Sequence, residues 1–429
     1  LSASLISLSH AVATQQSTLS PQTWPFSVSQ LPEGAFLVGG SVRDALLNRQ
    51  ADYLDLDFVL PQQAIETARA IALHYDAGFV VLDADHQIAR VVFRNATVDF
   101  AQQIGGSIYS DLQRRDFTIN AIAYNPHSEQ ILDPLNGWAD LQRQTLCMIA
   151  PENLRDDPLR LLRAYRQAAQ LGFHLDHATK QTIQALAPCL KRVAAERVRG
   201  ELDCLLSLPA GTPMLEQAWE DGILTTWLPQ VQAPQLQQLR AIDQAAAQLH
   251  ERWPDYSTLL QGWIKERSTP GLHRSWLKAT KLSQLLPDDQ AVAEATLVTL
   301  KYSRVEQQAI ISILAGWQLL RETGRVTLSA RQQYTLFKVT GAGFVGVALL
   351  GVAHGLPESV IGPLMERYLN HEDPVAHPQT LVSGRDLIQH LGLKPGPQIG
   401  RLLEAVQLAQ AEGEVTSKEE ALSWIAEHL

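Results

Sequence analysis

The chain has 429 residues, too many for one ordinary compact core, so two to four domains are expected. An apolar fraction of 45% and a mean hydropathy near zero fit a soluble globular protein and exclude a chain built of membrane spans. The formal net charge of −10 excludes a protein that is basic throughout, so any phosphate backbone it binds must meet a local basic face.

Residues 1–20 are rich in Ser and Thr and carry no Lys or Arg, which fits neither a signal peptide nor a transit peptide. Residues 1–24 therefore read as a flexible extension. From Phe36 to Tyr124 short β-rich runs alternate with helical ones. Candidate strands are Phe36–Val38, Leu54–Leu60, Gly78–Asp83, Ala89–Phe93 and Val98–Ala101; candidate helices are Val42–Leu47 and Ala64–Tyr75. From about Asp157 the texture becomes helical, rich in Leu, Ala, Gln and Arg, and punctuated by segments such as Pro209–Pro213 and Gly392–Pro397. The fold class is α+β, a sheet-bearing head followed by an all-helical remainder. The most apolar run, Ala342–Val352, falls short of the ~20 residues that a span needs. Cys147, Cys189 and Cys204 fit neither a zinc pattern nor a disulfide framework, so a reducing cytoplasm is expected.

The chemistry concentrates in the head. In LVGGSVRD a strand runs into Gly39-Gly40 and then a helix, a turn where backbone can approach a phosphate closely and Arg43 can add charge-assisted hydrogen bonds. The same pattern is also an ordinary turn. A dozen residues on, Asp55 and Asp57 stand two apart on a strand and so share a face. Two such carboxylates repel unless a cation sits between them, which makes them a magnesium platform; solvent-facing acids on an edge strand are the plainer alternative. Asp99 either completes that platform from a neighbouring strand or orients a group beside it. Arg114–Asn120 (RRDFTIN) places Arg115, Asp116 and Asn120 where they can hold a ribose, or else simply opens a charged helix ahead of core residues.

The ordered set GGSVRD, DLD, RRDFTIN, Asp133-Pro134…Gly137…Asp140-Leu141, DDPLRLLRA and ERVRGEL resembles the class II tRNA nucleotidyltransferases and their relatives, the bacterial poly(A) polymerases. Segments around Tyr302-Ser303 and Gly384–Gly413 extend the resemblance over most of the chain. It implies a nucleotidyltransferase head over 25–148, a neck for base recognition over 149–210, a helical body over 211–340 and a tRNA-binding tail over 341–429. It implies Mg2+ held by Asp55 and Asp57, a triphosphate cradled by Gly39, Gly40 and Arg43, and a ribose read by Arg115, Asp116 and Asn120. The implied reaction is attack of a tRNA 3′-hydroxyl on the α-phosphate of CTP or ATP, with pyrophosphate leaving.

Base choice without a template is assigned by the resemblance to Asp157 and Arg160, three apart on one helix face, with Arg163 close by. A carboxylate accepts from an exocyclic amine and a guanidinium donates to ring acceptors, a pattern that suits C or A. Asp157 before Pro158 is also an ordinary helix cap, and both roles are compatible. The family usually has Glu-Asp where this chain has Asp156-Asp157. Glu196, Arg197 and Glu201 match the last motif, which braces the nucleotide-binding helices. The stretch from Arg155 to Arg199 is locally basic. Only fourteen residues separate Asp99 from Arg114, shorter than in family members that add the whole C-C-A, so addition of CC alone is favoured over CCA. Poly(A) synthesis, A-addition, a non-catalytic RNA-binding role and modification of a protein or small molecule are the rival readings. His250, His273, His354 and His371 are scattered and suggest no second metal site; neither DNA nor a membrane is an expected partner.

Overall fold

A computed structural model describes residues 4–6, 17–49, 53–262, 275–323 and 327–428. The chain divides into two compact units: residues 1–193 with 217–223, and residues 194–216 with 224–429. The neck expected over 149–210 is thus split, 149–193 lying with the head and 194–210 with the second unit.

The first unit is organised by an eight-stranded mixed sheet. Its strands are β1 (Ser4–Ile6), β2 (Phe36–Val38), β3 (Leu54–Leu60), β4 (Gly78–Asp83), β5 (Ile88–Val92), β6 (Ala96–Gln102), β7 (Ala123–Asn125) and β8 (Gln130–Asp133), in the spatial order β1-β8-β7-β2-β3-β6-β5-β4. All neighbours are antiparallel except β3 and β6, which run parallel with Asp57 beside Asp99. The period of two decides which face each residue takes. On β3, Leu56, Phe58 and Leu60 are fully or almost fully buried, and Phe58 stacks on Phe100 of β6 with ring centroids 5.7 Å apart. Asp55 and Asp57 consequently emerge on the opposite face.

Helix α1 (Gly40–Leu46) leaves the β2 turn, and α2 (Ala64–His74) buries Ala64, Ile65, Ala68, Ile71 and Ala72, a spacing of one helical stripe. Residues 17–24 depart from the expected flexible extension. Leu19 is fully buried, and Trp24 packs edge to face with Phe58, ring centroids 5.1 Å apart, so this segment belongs to the head core. Of residues 1–24, 1–3 and 7–16 lie outside the described residues. The unit is completed by α3 (Ile108–Gln113), α4 (Gly137–Gln142), α5 (Pro151–Asp156), α6 (Leu159–Leu171) and α7 (His177–Leu186), with a small parallel pair, β9 (Thr145–Leu146) and β10 (His174–Leu175).

The described part of the second unit is helical. It opens with α8 (Ala195–Ser207), and its charged core is unusual. Lys278, only 1% exposed, lies 3.1 Å from Asp203 and 3.5 Å from Glu306, and Tyr302 donates to Asp203 at 2.6 Å. The apolar run at Ala342–Val352 belongs to a longer helical stretch, Ala330–Ala353, whose 24 residues are long and apolar enough to cross a membrane. Its most apolar window is 67% buried inside the protein, so packing covers the apolar surface that first suggests a span. The last three helices, Gly384–Leu391, Pro397–Glu412 and Lys418–Glu427, close around Leu387, Val406, Val415 and Ile425.

Candidate active site

The Gly39-Gly40 turn brings α1 against the carboxylates of β3. Gly39 has φ +74°, a conformation that L side chains rarely adopt. A Cβ there would stand 3.3 Å from Asp57 Oδ2 and 3.7 Å from Arg115 Nη1. The backbone angle requires the glycine, and the turn lies against an acid and a base that are 58 residues apart in sequence.

Gly40, Arg43, Asp55, Asp57 and Arg163 line one cavity of about 520 Å³, with Ser41 and Gln167 in its wall. Burial, then the charge of Asp99, raises the Asp55 carboxyl above its ordinary range. Burial, followed by the charges of Asp55 and Asp99, pushes Asp57 up to about 7 against the opposing pull of Arg115 and Arg163. Acids that resist ionisation together attract a cation. Asp99 contributes to that field while its own oxygens are engaged: Arg90, its cross-strand neighbour, forks onto both at 2.7 and 2.8 Å. Among the described residues no group of three or more His, Cys, Asp or Glu is arranged to hold a metal. Two carboxylates without a protein cage fit Mg2+, a hard cation that usually completes its shell with water and substrate phosphates.

Behind the cavity runs a buried polar chain. Arg43 forks onto Asp44 at 2.9 and 3.0 Å and donates to Asn120 Oδ1 at 2.8 Å. Asn120 Nδ2 donates to Asp116 Oδ1 and to Gln167 Oε1, both at 2.9 Å. Arg163 Nε donates to Asp116 Oδ2 at 2.9 Å. Burial works against ionisation of Asp116, but the Arg163 charge and the hydrogen bonds from Asn120 and Phe117 outweigh it and hold the carboxyl below its usual range.

The remaining expected site residues do not line that cavity, although Arg115 reaches the Gly39 turn beside it. Arg115 pairs with Asp111 at 3.1 Å and, with Arg160, lines a second cavity of about 280 Å³. Arg160 Nη1 donates to the carbonyls of Arg114 at 2.8 Å and Asn153 at 3.1 Å, and burial lowers its pKa. Just ahead of α6, between it and α5, Asp157 Oδ1 accepts from Leu159 N at 3.3 Å. Glu196, Arg197 and Glu201 stand on α8 in the second unit, where Glu201 is buried.

The Asp133…Gly137…Asp140 segment is scaffold. Asp133 accepts from the amides of Gly137 and Trp138, and Thr118 donates to Asp140 at 2.6 Å. A Cβ on Gly137 would fall 2.3 Å from the Thr118 carbonyl oxygen, so only glycine lets α4 lie against the RRDFTIN segment. Four partners were not foreseen: Asp44, Arg90, Asp111 and Gln167. Two of them left a signal in a spacing of four: Gln167 stands four residues beyond Arg163 on α6, and Asp111 four residues before Arg115.

The segment after β6 is short and closely held. Ser107 caps α3 by accepting from Ser110 N, and Ile104 N donates to Asp111 Oδ1 at 3.4 Å. Outside the head, His354 lies against Trp317 with ring centroids 4.4 Å apart, and His371 against His377 at 5.4 Å; His273 lies outside the described residues.

Family models match along the chain: the poly A polymerase head domain over residues 35–104 and 101–147, the "Probable RNA and SrmB- binding site of polymerase A" over 172–233, and tRNA nucleotidyltransferase domain 2 over 272–426. A CC-adding tRNA nucleotidyltransferase from Synechocystis sp. is 46% identical over 95% of this chain and 96% of its own length. An A-adding tRNA nucleotidyltransferase from Deinococcus radiodurans is 32% identical over 92% of this chain and 95% of its own. The solved structure of a CCA-adding enzyme with ATP shares the fold with a TM-score of 0.71, at 21% identity, over 92% of this chain and 91% of that one.

Proposed function

The chain belongs to the tRNA nucleotidyltransferase family, and we infer from that premise that it adds the two cytidines, and not the terminal adenosine, to the 3′ end of tRNA. The observation that carries the catalytic part is the cavity in which Asp55 and Asp57 share one strand face with Gly40, Arg43 and Arg163 around them. The CC specificity is supported by the short, internally bonded segment between Asp99 and Arg114 and by the 46% identity to a CC-adding relative.

In this reading Asp55 and Asp57 hold magnesium, and the chemistry it supplies when bound is a lowered pKa for the attacking 3′-hydroxyl and neutralised charge on the leaving pyrophosphate. Gly39 and Gly40 let the triphosphate approach the backbone at the start of α1. Arg43 and Arg163 counter its charge, each held at one edge by a carboxylate, Asp44 or Asp116, that fixes its orientation. Asp116 and Asn120, with Arg115, read the ribose. Asp157 and Arg160 read the base. The Arg160 bonds to two carbonyls use one guanidinium nitrogen and set the plane of the fork, which leaves donors to face a pyrimidine. Asp99 serves as a scaffold that, through Arg90, ties β6 to β5 beside the metal pair. The protein works in the cytoplasm, consistent with three free cysteines.

The test uses purified protein, Mg2+ and three tRNA transcripts, ending before CCA, after one C and after both, each given CTP, ATP or both. Growth by two residues with CTP, and none with ATP on the CC-ending transcript, is expected. Growth to full CCA would replace the CC reading with a CCA one, and no growth on any transcript would remove the catalytic reading.

A further inference from the structure

Gln167 is a side chain with no assigned role, 1% exposed in the middle of α6. A buried amide is costly unless its donors and acceptor are used, so its partners indicate what it is for. Its Oε1 accepts from Asn120 Nδ2 at 2.9 Å, and its Nε2 donates to Asp116 Oδ2 at 3.3 Å. Both partners belong to the three residues read above as facing the ribose.

The polarity of this chain of bonds is fixed at its ends. Arg43 can only donate, so Asn120 must turn Oδ1 toward it. An ionised Asp116 can only accept, so Asn120 must turn Nδ2 toward that carboxylate. The second hydrogen on Asn120 Nδ2 then needs an acceptor, and Gln167 Oε1 supplies it. Asp116 Oδ2, already holding Arg163, receives its second donor from Gln167 Nε2. One glutamine closes the circuit between a cation on α1 and a cation on α6, both of which line the cavity that holds Asp55 and Asp57.

We propose that Gln167 is a positioning residue of the nucleotide site, locking the Asn120 amide and the Asp116 carboxylate into the one arrangement that presents them to the ribose of the incoming nucleotide. Its side chain acts through Asn120, Asp116, Arg43 and Arg163. The inference rests on the ribose reading of Asp116 and Asn120 given above.

The experiment compares kcat and KM for CTP and 2′-deoxy-CTP in addition of the first C by wild type, Gln167→Leu, Gln167→Glu and Asn120→Ala. Losing one or two buried hydrogen bonds corresponds to about a tenfold fall in the CTP preference of the Leu variant, carried by KM for CTP. Asn120→Ala should lose at least as much. If Asn120→Ala loses the preference and Gln167→Leu keeps it, the role of Gln167 is overturned while the ribose reading stands. If Asn120→Ala keeps the preference, the ribose reading fails and the inference falls with it.

Should the Leu variant fail to fold, the Glu variant decides. A glutamate beside Asp116 can donate only when protonated, so its CTP preference should recover as pH falls, whereas wild type should show no such recovery. A flat profile for the Glu variant overturns the proposal.

Discussion

The charge cluster on β3 makes a prediction that separates a metal site from a pair of solvent-facing acids. Asp57 is pushed from 3.8 to about 7, first by burial and then by Asp55 and Asp99. A carboxyl whose folded pKa lies above its unfolded value destabilises the fold once it ionises. The penalty is absent below about pH 4, grows between pH 4 and 7, and is complete above pH 7. At about 1.4 kcal/mol per pKa unit it reaches at most about 4 kcal/mol. Asp57→Asn removes the charge while keeping the shape, so without divalent cations the variant should have the more stable β3, by an amount that rises from pH 5 to pH 8. Because a two-unit chain need not unfold in one step, the local quantity to measure is hydrogen exchange at the β3 and β6 amides. Adding Mg2+ should protect these amides in wild type, by about 2.7 kcal/mol at a hundred times Kd, and much less in the variant. Equal protection in both proteins at pH 8, or Mg2+ protecting both alike, would refute the frustrated-carboxylate reasoning and with it the metal assignment.

Three further outcomes are expected. Gly39→Ala forces a side chain into φ +74° against Asp57 Oδ2; strain of about 1–3 kcal/mol at that turn should cut the incorporation rate at least tenfold while tRNA binding, followed by filter retention, stays near wild type. Asp157→Ala removes the acceptor of the Leu159 amide ahead of α6, a loss of about 1 kcal/mol, and should also let UTP or GTP be incorporated. A stability loss with nucleotide choice unchanged would reduce Asp157 to a structural hydrogen-bond acceptor. In the second unit, Lys278→Met leaves Asp203 and Glu306 facing each other without their cation, which should cost about 3–5 kcal/mol in urea unfolding and be partly recovered at low pH as one acid takes a proton. A loss under about 1 kcal/mol would mean that the buried pair is dispensable.

Much of the head was legible because its signals are local. The alternation in Leu54–Leu60 placed Asp55 and Asp57 on one face, and the burial of Leu56, Phe58 and Leu60 opposite is the same period seen from the other side. Gly39 announced a turn, and the structure adds why alanine cannot replace it. β2, β3 and β4 match their expected bounds residue for residue, while β7 and β8 were missed: runs of three and four residues are too short for a period to show. Trp24 and Leu19 read as an extension because Ser and Thr surround them, and the core partner of Trp24, Phe58, lies more than thirty residues away.

What the sequence by itself determined is the set of chemically able groups and the faces they share along one strand or helix, because backbone periodicity fixes both. Which group touches which was decided only by the tertiary structure. The antiparallel register of β5 on β6 gave Asp99 to Arg90. The path of α6 set Arg160 on two carbonyls, and its packing closed the Asn120–Gln167–Asp116 circuit across 47 residues of sequence. Hydrogen-bond partners so far apart leave no periodic trace, and a buried polar side chain shows its purpose only once its donors and acceptors have been matched.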